Sequence, residues 1–158
     1  MRLTSKGRYA VSAMVDLAKQ GEDKPVTLAS ISERQCISLS YLEQLFRKLR
    51  EHGLVTSVRG PGGGYHLAAL PSEITVSAII LAVDEPIQMT MCANASRGCH
   101  RGHRCDTHQL WNTLGLHIQR FLDVVTVENI INQDIILDSI EMLPASHYVG
   151  NEQPIKVG

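Results

Sequence analysis

The 158-residue chain has no apolar run approaching the roughly 20 residues that a membrane span requires. Its first ten residues, MRLTSKGRYA, lack the apolar stretch of a secretory signal. These absences predict a cytoplasmic protein with no membrane partner. In that compartment thiols stay reduced, and clustered cysteines bind metals or do redox chemistry instead of forming structural disulfides. No internal repeat is present. There is also no paired carboxylate set in a helical context, no activated serine and no H-x-E…C-x-x-C deaminase pattern, so nothing supports an enzyme. The stretch Arg59-Gly60-Pro61-Gly62-Gly63-Gly64 lacks the G-K-[ST] ending of a phosphate cradle and opens no helix.

Cysteine is scarce, with four in the chain, but three of them fall together with a histidine. Cys92, Cys99, Cys105 and His108 form a C-x6-C-x5-C-x2-H pattern within seventeen residues. Thiolate and imidazole are the ligands that soft and borderline metals select. The segment from Met91 to Asp106 is polar and poor in large apolar residues, so a bound group is expected to order it. Three readings compete. Structural zinc normally uses C-x2–4-C spacings, tighter than these. Unliganded cysteines are usually buried among apolar residues. These instead lie among Arg97, His100, Arg101, His103 and Arg104, a setting that favours exposed thiolate. An iron–sulfur cluster takes cysteine thiolates and can accept histidine. Cys105 and His108, at i and i+3, would face one way at the start of a helix. His100, His103 and Asp106 are alternative fourth ligands. The fourth cysteine, Cys36, is expected to be a small buried residue without a role.

The net charge of −1 conceals an asymmetry. Residues 1–66 carry ten Lys/Arg against six acids, and residues 67–158 carry five against ten. A basic first half suggests a polyanionic partner, although a solvated basic face gives the same count.

The periodicity predicts a mainly α fold with a small β-hairpin wing: a winged helix-turn-helix plus a long dimerisation helix. Thr4 or Ser5 caps a first helix to about Gln20, with Tyr9, Ala10, Ala13, Met14 and Leu17 on its apolar face. Thr27 caps a second helix, Leu28 to about Gln35, with Leu28, Ala29 and Ile31 inward. Ser38 caps a third, Leu39 to about His52, burying Leu42, Leu45, Phe46 and Leu49 and ending at Gly53. Strands at Leu54–Val58 and Tyr65–Leu67 flank the glycine turn. Thr75 caps a helix to about Val83, and a long helix then runs from Cys105 or Asp106 to about Val125. That helix carries a stripe of Leu110, Leu114, His117/Ile118, Phe121/Leu122 and Val125, near a heptad seam. The stripe suits a homodimer interface or packing on the chain's own winged domain. Thr126 caps a short helix to about Ile136. The expected division is a DNA-binding domain over 1–70, a connecting helix over 71–84 and a cluster-binding loop over 85–105. The dimerisation helix and its short successor follow over 106–137, and a disordered tail over 138–158.

In such a motif the early residues of the second helix read the major groove. Here these are Ser38, Ser40, Tyr41, Glu43 and Gln44. A carboxylate at Glu43 can accept from the cytosine N4 amine, or else pair with Arg47 along the helix. Arg47, Lys48 and Arg50 would reach phosphates. Arg59, before Gly60-Pro61 on a thin hairpin, suits a narrow minor groove.

MRLTSKGRYAV, ISLSYLEQLFRKLR, VRGPGGGY and the cysteine–histidine pattern together resemble the IscR family of iron–sulfur-cluster regulators, winged-helix proteins grouped with NsrR and RirA. The resemblance covers roughly residues 1–137, an extent set by the motifs and the helical pattern. It implies a homodimer carrying a 2Fe–2S cluster on Cys92, Cys99, Cys105 and His108. It also implies repression of cluster-assembly genes when loaded, binding of a second class of sites when apo, and cluster-assembly proteins as donors. Glu43 is the position linked to choosing between site classes. The first cysteine gap, six residues, is one longer than the IscR pattern. In that respect it resembles RirA-like and NsrR-like relatives, iron- or nitric-oxide-responsive repressors with 4Fe–4S clusters.

Overall fold

The computed structural model describes residues 5–21, 24–84 and 105–135. Six helices and a two-stranded hairpin are found among them: α1 (Ser5–Gln20), α2 (Leu28–Gln35), α3 (Leu39–Glu51), β1 (Val55–Val58), β2 (Gly64–Leu67), α4 (Val76–Ala82), α5 (His108–Val124) and α6 (Val127–Asn132).

Apolar residues at three- and four-residue intervals build the core. Ala10, Ala13, Met14 and Leu17 of α1 meet Ile31 of α2 and Leu42, Leu45, Phe46 and Leu49 of α3. Tyr9, expected on that buried face, is instead 41% exposed. It lies at the edge of the stripe and packs its ring edge-on to Tyr41, with centroids 6.0 Å apart. Ala29 is likewise exposed, because α2 is only two turns long and Ile31 alone fills its buried side.

The helix ends follow local chemistry. Thr27, Thr75 and Thr126 each accept a backbone N–H three residues on, which satisfies a donor the helix cannot. Ser38 occupies the cap position of α3 but its hydroxyl makes no capping bond, contrary to expectation. α1 already includes Ser5, and Thr4, the other expected cap, lies outside the described residues. α6 stops at Asn132 where Gln133 turns left-handed (φ 57°), four residues short of the expected Ile136.

The α2–α3 turn is built on Cys36, which is left-handed (φ 53°) and exposed. The expected burial of Cys36 is wrong because Ile37, the next residue, takes the inward position. The hairpin is antiparallel, with Val55 opposite Leu67 and Val58 opposite Gly64. Val26 adds an isolated antiparallel bridge to β2, exchanging backbone bonds of 2.9 and 2.8 Å with Tyr65. Phe46 meets the Tyr65 ring edge at 4.9 Å, which fixes the wing to α3. At the wing tip Gly60 has φ +100°, a backbone that side chains disfavour.

α4 and α6 pack against α1, and Val127 of α6 lies in the same core as α3. Val76–Val125 and Ile74–Val127 backbone bonds, both 2.9 Å, tie the starts of α4 and α6 together. The second half of α5 packs on α4 through Ile118, Phe121, Leu122 and Val125. A half-buried polar tie, Gln119 Nε2 donating to the buried Ser77 Oγ at 3.0 Å, fixes that contact. The first half of α5 leaves its apolar side uncovered: Leu110 is 59% and Trp111 39% exposed. The two readings of the α5 stripe therefore divide along its length, with the C-terminal half claimed by the chain's own core.

Candidate DNA interface and metal centre

α3 is strongly two-sided. Its inner side is wholly apolar, and Ser40, Glu43, Gln44, Arg47 and Arg50 are exposed on the outer side. Ser38 and Ser40 stand at its N-terminal end. The Ser38 hydroxyl is not spent on capping, and the positive end of the α3 dipole there favours an anion such as phosphate. Tyr41 is half-buried against Tyr9, so α1 contributes an aromatic residue to this face that periodicity had assigned to the core.

Arg47 does not pair with Glu43. It pairs with Glu51, one turn on, at 3.7 Å, and Glu43 stays exposed on the outer side. The expected Glu43–Arg47 pair fails because the same i, i+4 spacing offers Arg47 a second carboxylate toward the C-terminal end of α3. Lys48 differs from its neighbours too. It is ion-paired with Asp84 at the end of α4, so phosphate contact would have to compete with that carboxylate. The hydrogen bond from Lys48 holds the Asp84 carboxyl below its ordinary range and, reciprocally, raises the Lys48 ammonium. Arg59, Gly60 and Pro61 are exposed at the wing tip.

Of the expected metal ligands, Cys105 and His108 are described, while Cys92, Cys99, His100 and His103 lie outside the described residues. Cys105 is not on the long helix, as spacing suggested. It sits in the turn before α5, whose first residue is His108, and its carbonyl accepts the His108 N–H at 2.9 Å. The two are thus joined in one turn that leads into a 17-residue helix. A half-exposed cysteine sulfur and an imidazole in one turn are donors an iron–sulfur cluster accepts, so the described part of the set fits such a group.

A three-helix core with a paired wing, an exposed polar recognition helix and an arginine at the wing tip is a winged helix-turn-helix DNA-binding protein. Comparison with known proteins places it more narrowly. The model of the Rrf2 family, described as iron-dependent transcriptional regulator, matches residues 3–133, and the chain belongs to that family. It is 56% identical over 138 residues to the HTH-type transcriptional regulator IscR of Yersinia pseudotuberculosis, covering 87% of this chain and 84% of that protein. The same figures describe its similarity to IscR of Photorhabdus laumondii. Among solved structures, T. potens IscR shares 35% identity at a TM-score of 0.69, covering 94% of this chain and 96% of that one. CymR, the global cysteine regulator of B. subtilis, shares 32% identity at 0.72, covering 84% and 98%. The chain is a DNA-binding transcriptional regulator of the IscR type and not an enzyme. No helix among the described residues is long and apolar enough to cross a membrane.

Proposed function

We propose that this chain is a cytoplasmic homodimeric repressor that reads iron–sulfur cluster status and controls cluster-assembly genes. The observation that carries the reading is the turn joining Cys105 to His108 at the head of α5. Cys92, Cys99, Cys105 and His108 would hold a 2Fe–2S cluster. Bound there, the cluster supplies a redox-active, labile group whose occupancy follows cellular supply. The segment carrying Cys92 and Cys99 runs between Asp84, paired to Lys48 of the recognition helix, and Cys105. A group held by Cys92 and Cys99 would therefore be joined by short stretches of chain to both α3 and α5.

The uncovered apolar side of α5, with Leu110, Trp111 and Leu114, suits the same helix of a second copy, which would present two recognition helices to a roughly two-fold symmetric operator. On each half-site Ser38, Ser40, Tyr41, Glu43 and Gln44 face base edges. Arg47 and Arg50 reach phosphates, and the wing places Arg59, Gly60 and Pro61 along the minor groove. The six-residue first cysteine gap favours a second reading, a 4Fe–4S repressor of the NsrR or RirA kind. Cluster-assembly proteins are the expected donors under either reading.

Anaerobic purification followed by electron paramagnetic resonance and Mössbauer spectroscopy tests this. A brown protein whose visible absorbance is lost on replacing Cys92, Cys99 or Cys105 by Ala is expected, with Mössbauer parameters deciding nuclearity. A colourless preparation with one zinc ion per chain would overturn the cluster reading in favour of a zinc-stabilised module.

A further inference from the structure

Four helices begin with threonine at the cap, and three of these threonines spend the side-chain hydroxyl on the helix they start: Thr27, Thr75 and Thr126. Thr107, at the cap of α5, does not. Its Oγ1 lies 3.6 Å from Cys105 Sγ and accepts the indole N–H of Trp111 at 3.2 Å. The direction of the sulfur contact follows from donor chemistry. An indole nitrogen can only donate, so the Thr107 oxygen receives that proton's bond and turns its own hydrogen elsewhere. A metal-binding cysteine is a thiolate with no proton to give. Between Thr107 and a ligating Cys105, only the Thr107 O–H can be the donor.

We propose that Thr107, held in place by Trp111, is a positioning residue that donates a hydrogen bond to the Cys105 sulfur and raises the reduction potential of the cluster this cysteine holds. The inference rests on the cluster reading given above. When one electron is added, negative charge on the ligand sulfurs increases. A hydrogen bond to sulfur stabilises that reduced form, while the Thr107 proton stays on its oxygen and no bond is broken. The cost to the fold is the capping bond that the other three threonines make and Thr107 forgoes.

The test uses the full chain purified anaerobically with its cluster and titrated with dithionite in the presence of mediator dyes. Reduction is followed by visible absorbance and electron paramagnetic resonance. Thr107→Val keeps the side-chain shape and removes the donor. The midpoint is expected to fall by about a tenfold change in the reduction equilibrium, which is about 59 mV for one electron. Thr107→Ser, which keeps the hydroxyl, should restore it. Trp111→Phe removes the bond that orients Thr107 and should give a smaller fall in the same direction. Cluster content, read as iron and acid-labile sulfide, separates the two levels of the reading. Wild-type protein without a cluster overturns the cluster reading itself. A loaded Thr107→Val protein with an unchanged midpoint overturns only the role of Thr107. Should Thr107→Val fail to load, a loaded Trp111→Phe protein at the wild-type midpoint overturns the proposal.

Discussion

Asp16 is a carboxylate on the buried side of α1, 6% exposed, in a helix whose other inward residues are apolar or small. Burial of such a charge is tolerable only with partners. It accepts Arg34 Nε at 3.0 and 3.2 Å, Arg34 Nη2 at 2.7 Å and Gln35 Nε2 at 3.0 Å. These bonds join α1 to the end of α2 and so set the entry to the helix-turn-helix turn. Asp16→Ala removes all of them and leaves Arg34 unpaired. Losing one member of a fully buried pair costs about 3–5 kcal/mol. The Arg34 side chain, however, is 37% exposed, so water recovers part of its solvation and the cost falls below that range. The expected loss is about 2.5 kcal/mol, near that of one strong bond to a charged group. For a chain of this size that lowers the melting temperature by about 5–10 °C. Urea unfolding followed by circular dichroism measures it, and a double-mutant cycle with Arg34→Met isolates the pair. A loss below about 0.5 kcal/mol, ordinary for surface substitutions, would show that the network contributes nothing net. A coupling energy near zero would show that the cost of Asp16→Ala is a cavity effect instead.

Glu43→Ala is expected to leave stability unchanged, since the side chain is exposed and Arg47 is engaged by Glu51. It should flatten the ranking of operator variants at one base pair, and binding measured across those variants with an unaltered ranking would remove Glu43 from base readout. Arg59→Ala should weaken binding to all operators alike and reduce the slope of log K against log salt by about 1 per bound head. An unchanged slope would take the wing tip off the DNA. The Lys48–Asp84 pair has a pH signature. Asp84 is depressed by the Lys48 bond, so its stabilising contribution is present above the ordinary carboxylate range and is lost as pH falls through the depressed folded value. Lys48 is raised, so its contribution is lost only as pH climbs through the raised folded value. A carboxyl NMR titration should find Asp84 protonating below an unstructured aspartate in wild type and returning to the ordinary range in Lys48→Met; an ordinary value in wild type would refute the pair.

What the sequence disclosed and what it hid follow one physical division. Positions governed by neighbours within a turn or two were legible: the Leu42–Leu45–Phe46–Leu49 face, the threonine caps at Thr27, Thr75 and Thr126, the hairpin around the glycine turn, and Gly53 after α3 with φ +72°. Positions decided by another element were not. Asp16 reads as an interruption of an apolar stripe, and only the approach of Arg34, eighteen residues away, makes it a buried anchor. Tyr9 sits at the edge of its stripe, where periodicity cannot distinguish core from rim, and Tyr41 on α3 decides the matter. Cys36 looks apolar by residue type, yet the left-handed turn it occupies points Ile37 inward and leaves the thiol outside. Lys48 looks like one more phosphate contact until α4 brings Asp84 beside it. The ligand set shows the same division within four residues. The i, i+3 spacing of Cys105 and His108 suggested a shared helical face, whereas the helix starts at His108 and the two are joined through the turn before it. That difference has a chemical consequence. A cysteine inside the helix would have its i+2 neighbour directed to a different side, but a cysteine in the preceding turn has the cap residue Thr107 within reach of its sulfur. The start of α5 thus determines both which backbone carries the thiolate and which hydroxyl lies beside it.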